Sequence, residues 1–296
     1  MSVLTSYAST SARDSAAPAA SNTGLCIFRS DTKAIEVSDG TAYQTYNSDG
    51  VFVPGVSNSF SGSFNGSSDY LDVGTISTLS GATQQSVSFW FKSDVSGQMP
   101  DWGYRTASNK AFGFIDAGTN QKWFLARNGD TNSYELTSVL PSDTLWHHYV
   151  AVFNAGSVAV YIDGAEVNGT QTGSPPSSMD STTGDFYIGK FGNISYYADG
   201  LYDEFCIWNT ALDLNDAESL YNSGTPIDPE SAAGGYDKQA SLTHWYRMGD
   251  HGSDTGTGGV ANGNAITNVE NAANPNTNDA SVGAGSPTYS TIVAPN

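Results

Sequence analysis

Basic residues are scarce in this sequence: 11 lysines and arginines stand against 30 aspartates and glutamates, a net charge of −19. Such a negative surface repels phosphate backbones, which argues against binding DNA or RNA. The charge keeps the chain soluble and suits a particle or a secreted protein in salty water, where the repulsion is screened. The carboxylates could equally supply Ca²⁺ ligands, so a solubility role and a metal-binding role both stay open.

Long apolar runs and cysteine patterns are also missing. No stretch approaches the ~20 apolar residues that a membrane span needs, so no membrane insertion is expected. The first residues lack a basic start and a continuous apolar segment and do not resemble a signal peptide, so work outside a cell would need another exit route, such as lysis. Cys26 and Cys206 are too few for a disulfide framework and are predicted to be buried thiols.

Signatures of catalysis are absent as well. The sequence contains no G-x-S-x-G motif, no P-loop and no E-x-D-x-x-E string. The adjacent histidines His147 and His148 fall in a predicted strand, where neighbours point to opposite faces, so they cannot chelate together. By the same geometry Asp203 and Glu204 are predicted to split across the sheet. No catalytic residue is assigned, and the chain is not expected to be an enzyme.

What the sequence does contain is typical of an all-β protein. Its 32 glycines and its many Ser, Thr, Asn and Asp residues suit short strands joined by tight turns. Apolar residues alternate at period two in several runs, which predicts an antiparallel sandwich of two sheets; the runs are 86–92, 146–152, 157–162, 185–189 and 201–208. One helix is predicted at 214–221, capped by Asp213, buried through Leu214, Ala217 and Tyr221, and ended by Gly224.

The chain divides into three parts. Residues 1–23, mostly Ser, Thr and Ala, are interpreted as an extended N-terminal arm. Residues 24–56 are predicted to form a small β-meander, too small to be stable alone, that serves anchoring or oligomerisation. Residues 57–296 are assigned to the sandwich, which a late strand at 242–248 completes and an irregular tail follows.

Six motifs in order resemble the laminin-G-like branch of the concanavalin A-like jelly rolls. They are residues 64–71 (FNGSSDYL), 86–91 (SVSFWF), 145–152 (LWHHYVAV), 160–164 (VYIDG), 188–189 (IG) and 200–209 (GLYDEFCIWN). The resemblance implies a jelly-roll fold. It departs from the family in one respect: the segment similar to the family's first strand lies late, at 242–248. Because sandwich termini are usually adjacent, we expect this segment to fill the first-strand place of the same sandwich, with a truncated second copy as the rival interpretation.

A second resemblance covers the predicted meander. The run GLCIFRSDTKAIEVSDGTAYQTY is similar to a segment near the start of phage tail-fibre and head-appendage proteins, with Tyr43 where those have Trp. It implies a virion surface location, contacts with other virion proteins through the N-terminal region, and a homo-oligomer, with a trimer favoured.

Candidate site residues follow from the laminin-G-like resemblance and from the composition of the predicted loops. Some laminin-G-like domains hold Ca²⁺ at a rim, so Asp69 and Asp203 are candidate ligands for a structural calcium ion; alternatively Asp203 only bonds backbone amides. No cofactor is required. Aromatic and polar residues of two predicted loops are candidates for stacking on sugars and bonding hydroxyls; these are Trp102, Tyr104, Arg105, Asn193, Tyr196 and Tyr197.

The sequence therefore favours a non-enzymatic virion surface or appendage protein, whose lectin-like sandwich recognises a host glycan or decorates the particle. The alternatives are a secreted or cell-surface carbohydrate-binding adhesin and an accessory binding domain of a carbohydrate-active enzyme.

Overall fold

The computed structural model describes residues 5–7, 26–29, 34–38, 43–46, 56–116, 122–129, 133–136, 139–179, 184–232, 234–255 and 262–295. The strands within these ranges are β1 (Thr5–Tyr7), β2 (Cys26–Arg29), β3 (Ala34–Ser38), β4 (Tyr43–Tyr46), β5 (Ser61–Asn65), β6 (Tyr70–Gly74), β7 (Gln84–Ser93), β8 (Trp102–Arg105), β9 (Lys110–Asp116), β10 (Lys122–Asn128), β11 (Ser133–Glu135), β12 (Trp146–Asn154), β13 (Ser157–Ile162), β14 (Ala165–Glu166), β15 (Thr170–Thr172), β16 (Phe186–Ile188), β17 (Asp199–Trp208), β18 (Leu242–Tyr246), β19 (Asn268–Val269), β20 (Ala280–Ala284) and β21 (Thr288–Ser290). The α-helix α1 is Leu214–Tyr221, and short 3₁₀ turns lie at Ser77–Leu79, Asn222–Gly224 and Gln239–Ser241.

The N-terminal strands form a separate four-stranded sheet in the order β1-β2-β3-β4. Strands β2, β3 and β4 pair antiparallel, as a meander does, and β1 joins β2 in parallel. Strand β1 falls in the segment interpreted as an arm; the remainder of residues 1–23 lies outside the described residues. The side chain of Cys26 also lies outside them.

Two further sheets make the predicted sandwich. One has the order β15-β11-β10-β9-β8-β16-β6-β20-β19, and the other has the order β14-β13-β12-β7-β17-β5-β21 with β18 also paired to β17. Strands β5 and β18 share one edge of β17: β5 pairs with Asp199 to Tyr202, and β18 pairs with Phe205 to Trp208. The all-β, antiparallel sandwich with one short helix is confirmed, and the late strand β18 lies in the same sheet as the motif-matched strands.

Aromatic rings fill the space between the two sheets. Phe89 lies at the centre of this cluster: its ring stacks on Tyr149 and Phe205 at 5.4 and 5.3 Å and meets Trp102 edge-on at 6.0 Å. The period-two alternation of β7 directs Val87, Phe89 and Phe91 inward, where all are buried. Such aromatic contacts add about 0.5–1.5 kcal/mol each beyond the burial of apolar area.

A second apolar cluster covers the outer face of the eight-stranded sheet. Helix α1 contributes Ala217 and Leu220 to it, over Trp208 of β17. The capping interaction between Asp213 and Asp216 starts the helix as predicted. Two details of the prediction are wrong: Leu214 is 41% exposed, and Asn222, with φ +44, ends the helix before Gly224 because Asn also tolerates left-handed backbone.

Cys206 lies in the same outer cluster and is buried with a free thiol, as predicted. Among the residues described, no helix has the length and hydrophobicity of a membrane span.

The C-terminal tail is not irregular, contrary to the sequence-based expectation. Strands β19 and β20 extend the nine-stranded sheet beside β6, and β21 pairs with β5 in the opposite sheet. Ile266, Val269 and Tyr289 are buried in the core between the sheets. In the sequence these apolar residues are isolated among Gly, Asn and Thr, so no period-two pattern predicts strands here. In the structure each side chain nevertheless packs in the core.

The burial of Tyr289 generates a test of this placement. We expect Tyr289→Ala to lower the free energy of unfolding by about 3–5 kcal/mol, because a fully buried ring would leave a cavity. Ile292→Ala is the control: Ile292 is 57% exposed in the same tail and its loss should cost under about 0.5 kcal/mol. Equal values for both variants in urea unfolding would show that the tail does not complete the core.

Candidate functional site

A cleft of about 800 Å³ opens at one end of the sandwich. Its walls come from the 95–98 turn after β7, from the segment before β12 that includes Leu140 and Ser142, and from Ser195, Tyr196 and Tyr197 ahead of β17. Loops from both sheets meet here because the strands that carry them all begin or end at this rim. A concave site of this volume is in the range of small-ligand pockets.

Ionisable side chains form the floor of the cleft. The Asp116 amide donates to Asp101 Oδ1 at 2.7 Å, the Met99 amide donates to Asp116 Oδ2 at 3.0 Å, and Lys122 Nζ pairs with that same Oδ2. Asp101 is fully buried, and its Oδ2 has no hydrogen-bond partner. Burial raises the pKa of the Asp101 carboxyl well above its usual range, so the group resists ionisation.

Tyrosines line the side of the cleft that faces the nine-stranded sheet. Tyr196 is 37% exposed, and Tyr197 lines the cleft beside it. The Tyr197 ring also belongs to a cluster with Tyr70 and Tyr187, over which Lys190 places its ammonium group at 4.3 Å from the Tyr70 centroid and 4.9 Å from that of Tyr187. The cleft therefore has an exposed aromatic wall above a polar floor, an arrangement that can stack a flat apolar face and bond hydroxyl groups.

Two of the predicted ligand residues are not at this cleft or at any surface. Trp102 and Tyr104 lie in strand β8, where a loop was predicted, and they are 0% and 1% exposed in the core. The prediction for these two rings was wrong, because β8 is only four residues long and its glycine at 103 obscured the alternation. Sugar stacking on either ring would require opening the core.

The other four candidates fall into two groups. Tyr196 and Tyr197 line the cleft, whereas Arg105 and Asn193 meet on the outer face of the nine-stranded sheet, with Arg105 Nη1 3.5 Å from Asn193 Oδ1. Asn193 reaches Arg105 because the 190–197 loop folds over β8, where the Gly192 amide donates to the Gly103 carbonyl at 3.3 Å.

The family model of the concanavalin A-like lectin/glucanases superfamily matches residues 65–217, just over half of the chain. The chain belongs to this family. A comparison with curated proteins gave no match.

Solved structures with a similar fold are distant in sequence. A Bacteroides ovatus protein described as a "putative carbohydrate binding protein" is 17% identical over 80% of this chain, with a TM-score of 0.50, and this chain spans 61% of its length. A heptameric SAP-like pentraxin from Limulus polyphemus is 16% identical over 55% of this chain and 82% of its own, with a TM-score of 0.40. Domain 4 of an extracellular arabinanase from Geobacillus stearothermophilus, in complex with arabinotriose, is 20% identical over 49% of this chain and 69% of its own, with a TM-score of 0.31. At these identities the likeness concerns the fold alone.

The two candidate calcium ligands lie at opposite ends of β5. Asp69 Oδ1 accepts from the Ser286 amide at 2.8 Å and from Ser68 Oγ at 3.3 Å. Asp203 Oδ2 accepts from Asn58 Nδ2 at 2.8 Å and from the Ala294 amide at 3.1 Å. Both carboxylates thus bind groups of this concanavalin A-like sandwich itself. Within the described ranges, no group of three or more His, Cys, Asp or Glu residues converges on a metal-sized site.

Asp203 and Glu204 do not split across the sheet as predicted. Between Asp203 and Cys206, β17 has one residue more than its partner β7, and Glu204 adopts φ +46. Tyr202 and Phe205, three residues apart, therefore both face the core, and the two carboxylates face outward together. Burial raises the pKa of both, that of Glu204 to about 7, although Arg247 Nε lies 3.5 Å from Glu204 Oε1 and Trp245 Nε1 donates to Oε2.

His147 and His148 also have structural partners. His147 lies between Asp163 and Asp143, at 2.6 and 2.8 Å, and the hydrogen bond with Asp163 raises its pKa. His148 is buried with its Nε2 2.7 Å from Ser88 Oγ, and burial lowers its pKa to about 4.

The raised pKa of Glu204 predicts a specific pH dependence of stability. Since the folded-state pKa of about 7 exceeds the ordinary value of 4.5, unfolding releases a proton between these values, and stability falls as the pH rises through that window. We expect Glu204→Gln, which cannot titrate, to reduce the loss in free energy of unfolding across this pH range by up to about 3 kcal/mol. Urea unfolding between about pH 4.5 and 7.5 measures the slope.

The matched control is Glu218→Gln, which removes an exposed carboxylate from α1 and should leave the wild-type slope unchanged. Identical slopes for wild type and Glu204→Gln would contradict the burial of an ionisable Glu204.

Proposed function

We propose that this chain binds carbohydrate, without catalysis, in the cleft at the end of the sandwich. The observation that supports it most is the exposed Tyr196 ring beside a cleft large enough for a small oligosaccharide. Sugars present apolar C–H faces that stack on such rings, and their hydroxyls bond polar groups nearby. Membership of the concanavalin A-like lectin/glucanase family is consistent with this role.

The polar lining of the cleft fits hydroxyl groups better than it fits an apolar ligand. Gln98, Ser142, Ser195 and Asp199 all line it, and they come from three separate segments. Each can donate to or accept from a sugar hydroxyl. The ligand class proposed is therefore a glycan with several free hydroxyls.

Lack of catalysis is supported by the state of the two carboxyls in the floor. Glycoside hydrolysis needs two carboxyl groups that flank the bond to be broken. Asp101 is fully buried, so it cannot reach a glycosidic oxygen, and Asp116 is held by Lys122 and by the Met99 amide. Of the described residues in the floor, neither Asp101 nor Asp116 is therefore free to act as acid or base on a bound glycan.

The place where the binding occurs is a further proposal. We propose the virion surface as the location, because residues 24–46 resemble a segment of phage tail-fibre and head-appendage proteins. In this proposal the N-terminal sheet β1–β4 is the attachment or oligomerisation unit, and a trimer is the favoured state. A secreted adhesin and an accessory domain of a carbohydrate-active enzyme are the alternatives. Electron microscopy of the native assembly separates them: the virion reading predicts the chain on a particle, and a monomer outside any particle would contradict it.

The role of the aromatic wall is testable with one substitution. We expect Tyr196→Ala to weaken binding of the glycan found on an array by about tenfold or more, because stacking on this ring is lost. Leu214→Ala removes a similarly exposed apolar side chain from α1, away from the cleft, and should bind as wild type does. Undiminished binding by Tyr196→Ala in titration calorimetry would place the ligand elsewhere.

A further inference from the structure

The described part of this acidic chain pairs several of its cations with carboxylates. Four such ion pairs are Lys92 with Asp94, Lys122 with Asp116, Lys238 with Asp237, and Arg247 with Glu204. Arg105 and Arg127 form no ion pair with any described carboxylate. With 30 acidic side chains in the sequence, two neighbouring arginines without a described carboxylate partner are candidates for a ligand site.

Sheet register places these two arginines side by side. Arg105 of β8 lies opposite Ala111 of β9, and Ala111 lies opposite Arg127 of β10. Ala111 belongs to the apolar cluster on the outer face of the nine-stranded sheet, so both arginines flank it on that face, about 10 Å apart at the backbone. Ala111 itself is fully buried in that cluster, between the two arginines.

Neutral groups, not anions, hold Arg105 in place. Its guanidinium donates to the side-chain oxygens of Asn109 and Asn193. Gly192 lies directly against the base of the Arg105 side chain. A Cβ at this position, where φ is +53, would come within 2.4 Å of Arg105 Cβ. These contacts fix the positive charge of Arg105 in position, and no carboxylate among the described residues neutralises it.

Arg127 is partly desolvated beside this charge. Its Nε is buried and has no hydrogen-bond partner. Burial lowers the pKa of Arg127, and the positive charge of Arg105 lowers it further. Buried donors normally have partners, and the part of the chain that the structure describes supplies none to this Nε–H, which leaves it available to an acceptor from a ligand.

We infer that Arg105 and Arg127 form a binding site for an anionic substituent, a carboxylate or a sulfate, of the glycan that the chain recognises. The planar guanidinium matches both groups, with charge-assisted hydrogen bonds. This inference rests on the proposed function, since it assigns the class of glycan as acidic. On a surface whose net charge repels anions, the arginine pair would select for ligands that carry an anion at this position.

The arginine pair and the cleft are connected by two elements. Strand β8 leads from Asp101, which immediately precedes it at the cleft floor, to Arg105 at its end, a distance of about 13 Å at ~3.3 Å per residue. The 190–197 loop spans the same interval, with Asn193 at Arg105 and Tyr196 at the cleft. A polysaccharide longer than the cleft can therefore contact both sites along the surface of this loop.

The test compares polymers that differ in charge. Binding of the full chain to polygalacturonate, dextran sulfate and neutral dextran is measured by biolayer interferometry at about 20 and about 200 mM NaCl. The double variant Arg105→Gln/Arg127→Gln is compared with the charge-matched control Lys92→Gln/Lys238→Gln, and thermal unfolding verifies that both fold. The polymer that binds shows whether the anion is a carboxylate or a sulfate.

We expect one acidic polymer to bind more tightly than dextran, more weakly at high salt, and about tenfold or more weakly to the arginine double variant, with the control unchanged. Equal binding by the arginine variant and wild type, or an equal loss in the control, would overturn the inference. Binding of a neutral glycan that Tyr196→Ala abolishes and the arginine variant retains would overturn this inference alone. Failure of the wild type to bind any glycan on an array would overturn the proposed function instead.

Discussion

Between Tyr202 and Phe205, β17 carries one residue more than the strand beside it, and both intervening carboxylates face away from the core. Asp203 binds Asn58, where the sandwich begins, and the amide of Ala294, where it ends. Glu204 binds Trp245 of β18. This bulge therefore joins the two ends of the sandwich and the late strand at one point, where β5 and β18 share an edge of β17. Without the bulge, the segments that contain Asn58, Ala294 and Trp245 would lose these shared contacts with β17.

The strands with strict alternation could be predicted from sequence because their two faces differ in environment. In β7, Val87, Phe89 and Phe91 enter the core between the sheets while polar Ser86 and Ser88 alternate with them, and the pattern shows this directly. The tail could not be predicted in this way. Tyr289 and Val269 each enter the core from a short edge strand. Their neighbours in the sequence are polar, so no alternation of apolar residues marks these strands. The bulge at Asp203 was equally hidden, because an inserted residue reverses the alternation only after it.

The residues predicted to bind a ligand differ in where the structure places them, and their binding role stays a prediction. Tyr196 and Tyr197 were identified from the composition of their loop, and they line the cleft. Trp102 and Tyr104 have a similar composition around them but lie inside, since the sheet continues through them. The cleft floor was missed altogether: Asp101 immediately precedes β8, Asp116 ends β9 and Lys122 begins β10, and no spacing along the chain indicates that they meet. The same applies to the Arg105 and Arg127 pair, which only the register of β8, β9 and β10 brings together.

The central claim is that the open end of this concanavalin A-like sandwich holds a glycan, with the 190–197 loop as its wall. Hydrogen–deuterium exchange of the full chain, with and without a saturating oligosaccharide, tests it most directly. If the glycan binds in this cleft, we expect slower exchange in residues 95–98 and 193–199 and no change in β18 or α1. Protection confined to α1, or to the strands at the opposite end of the sandwich, would contradict it.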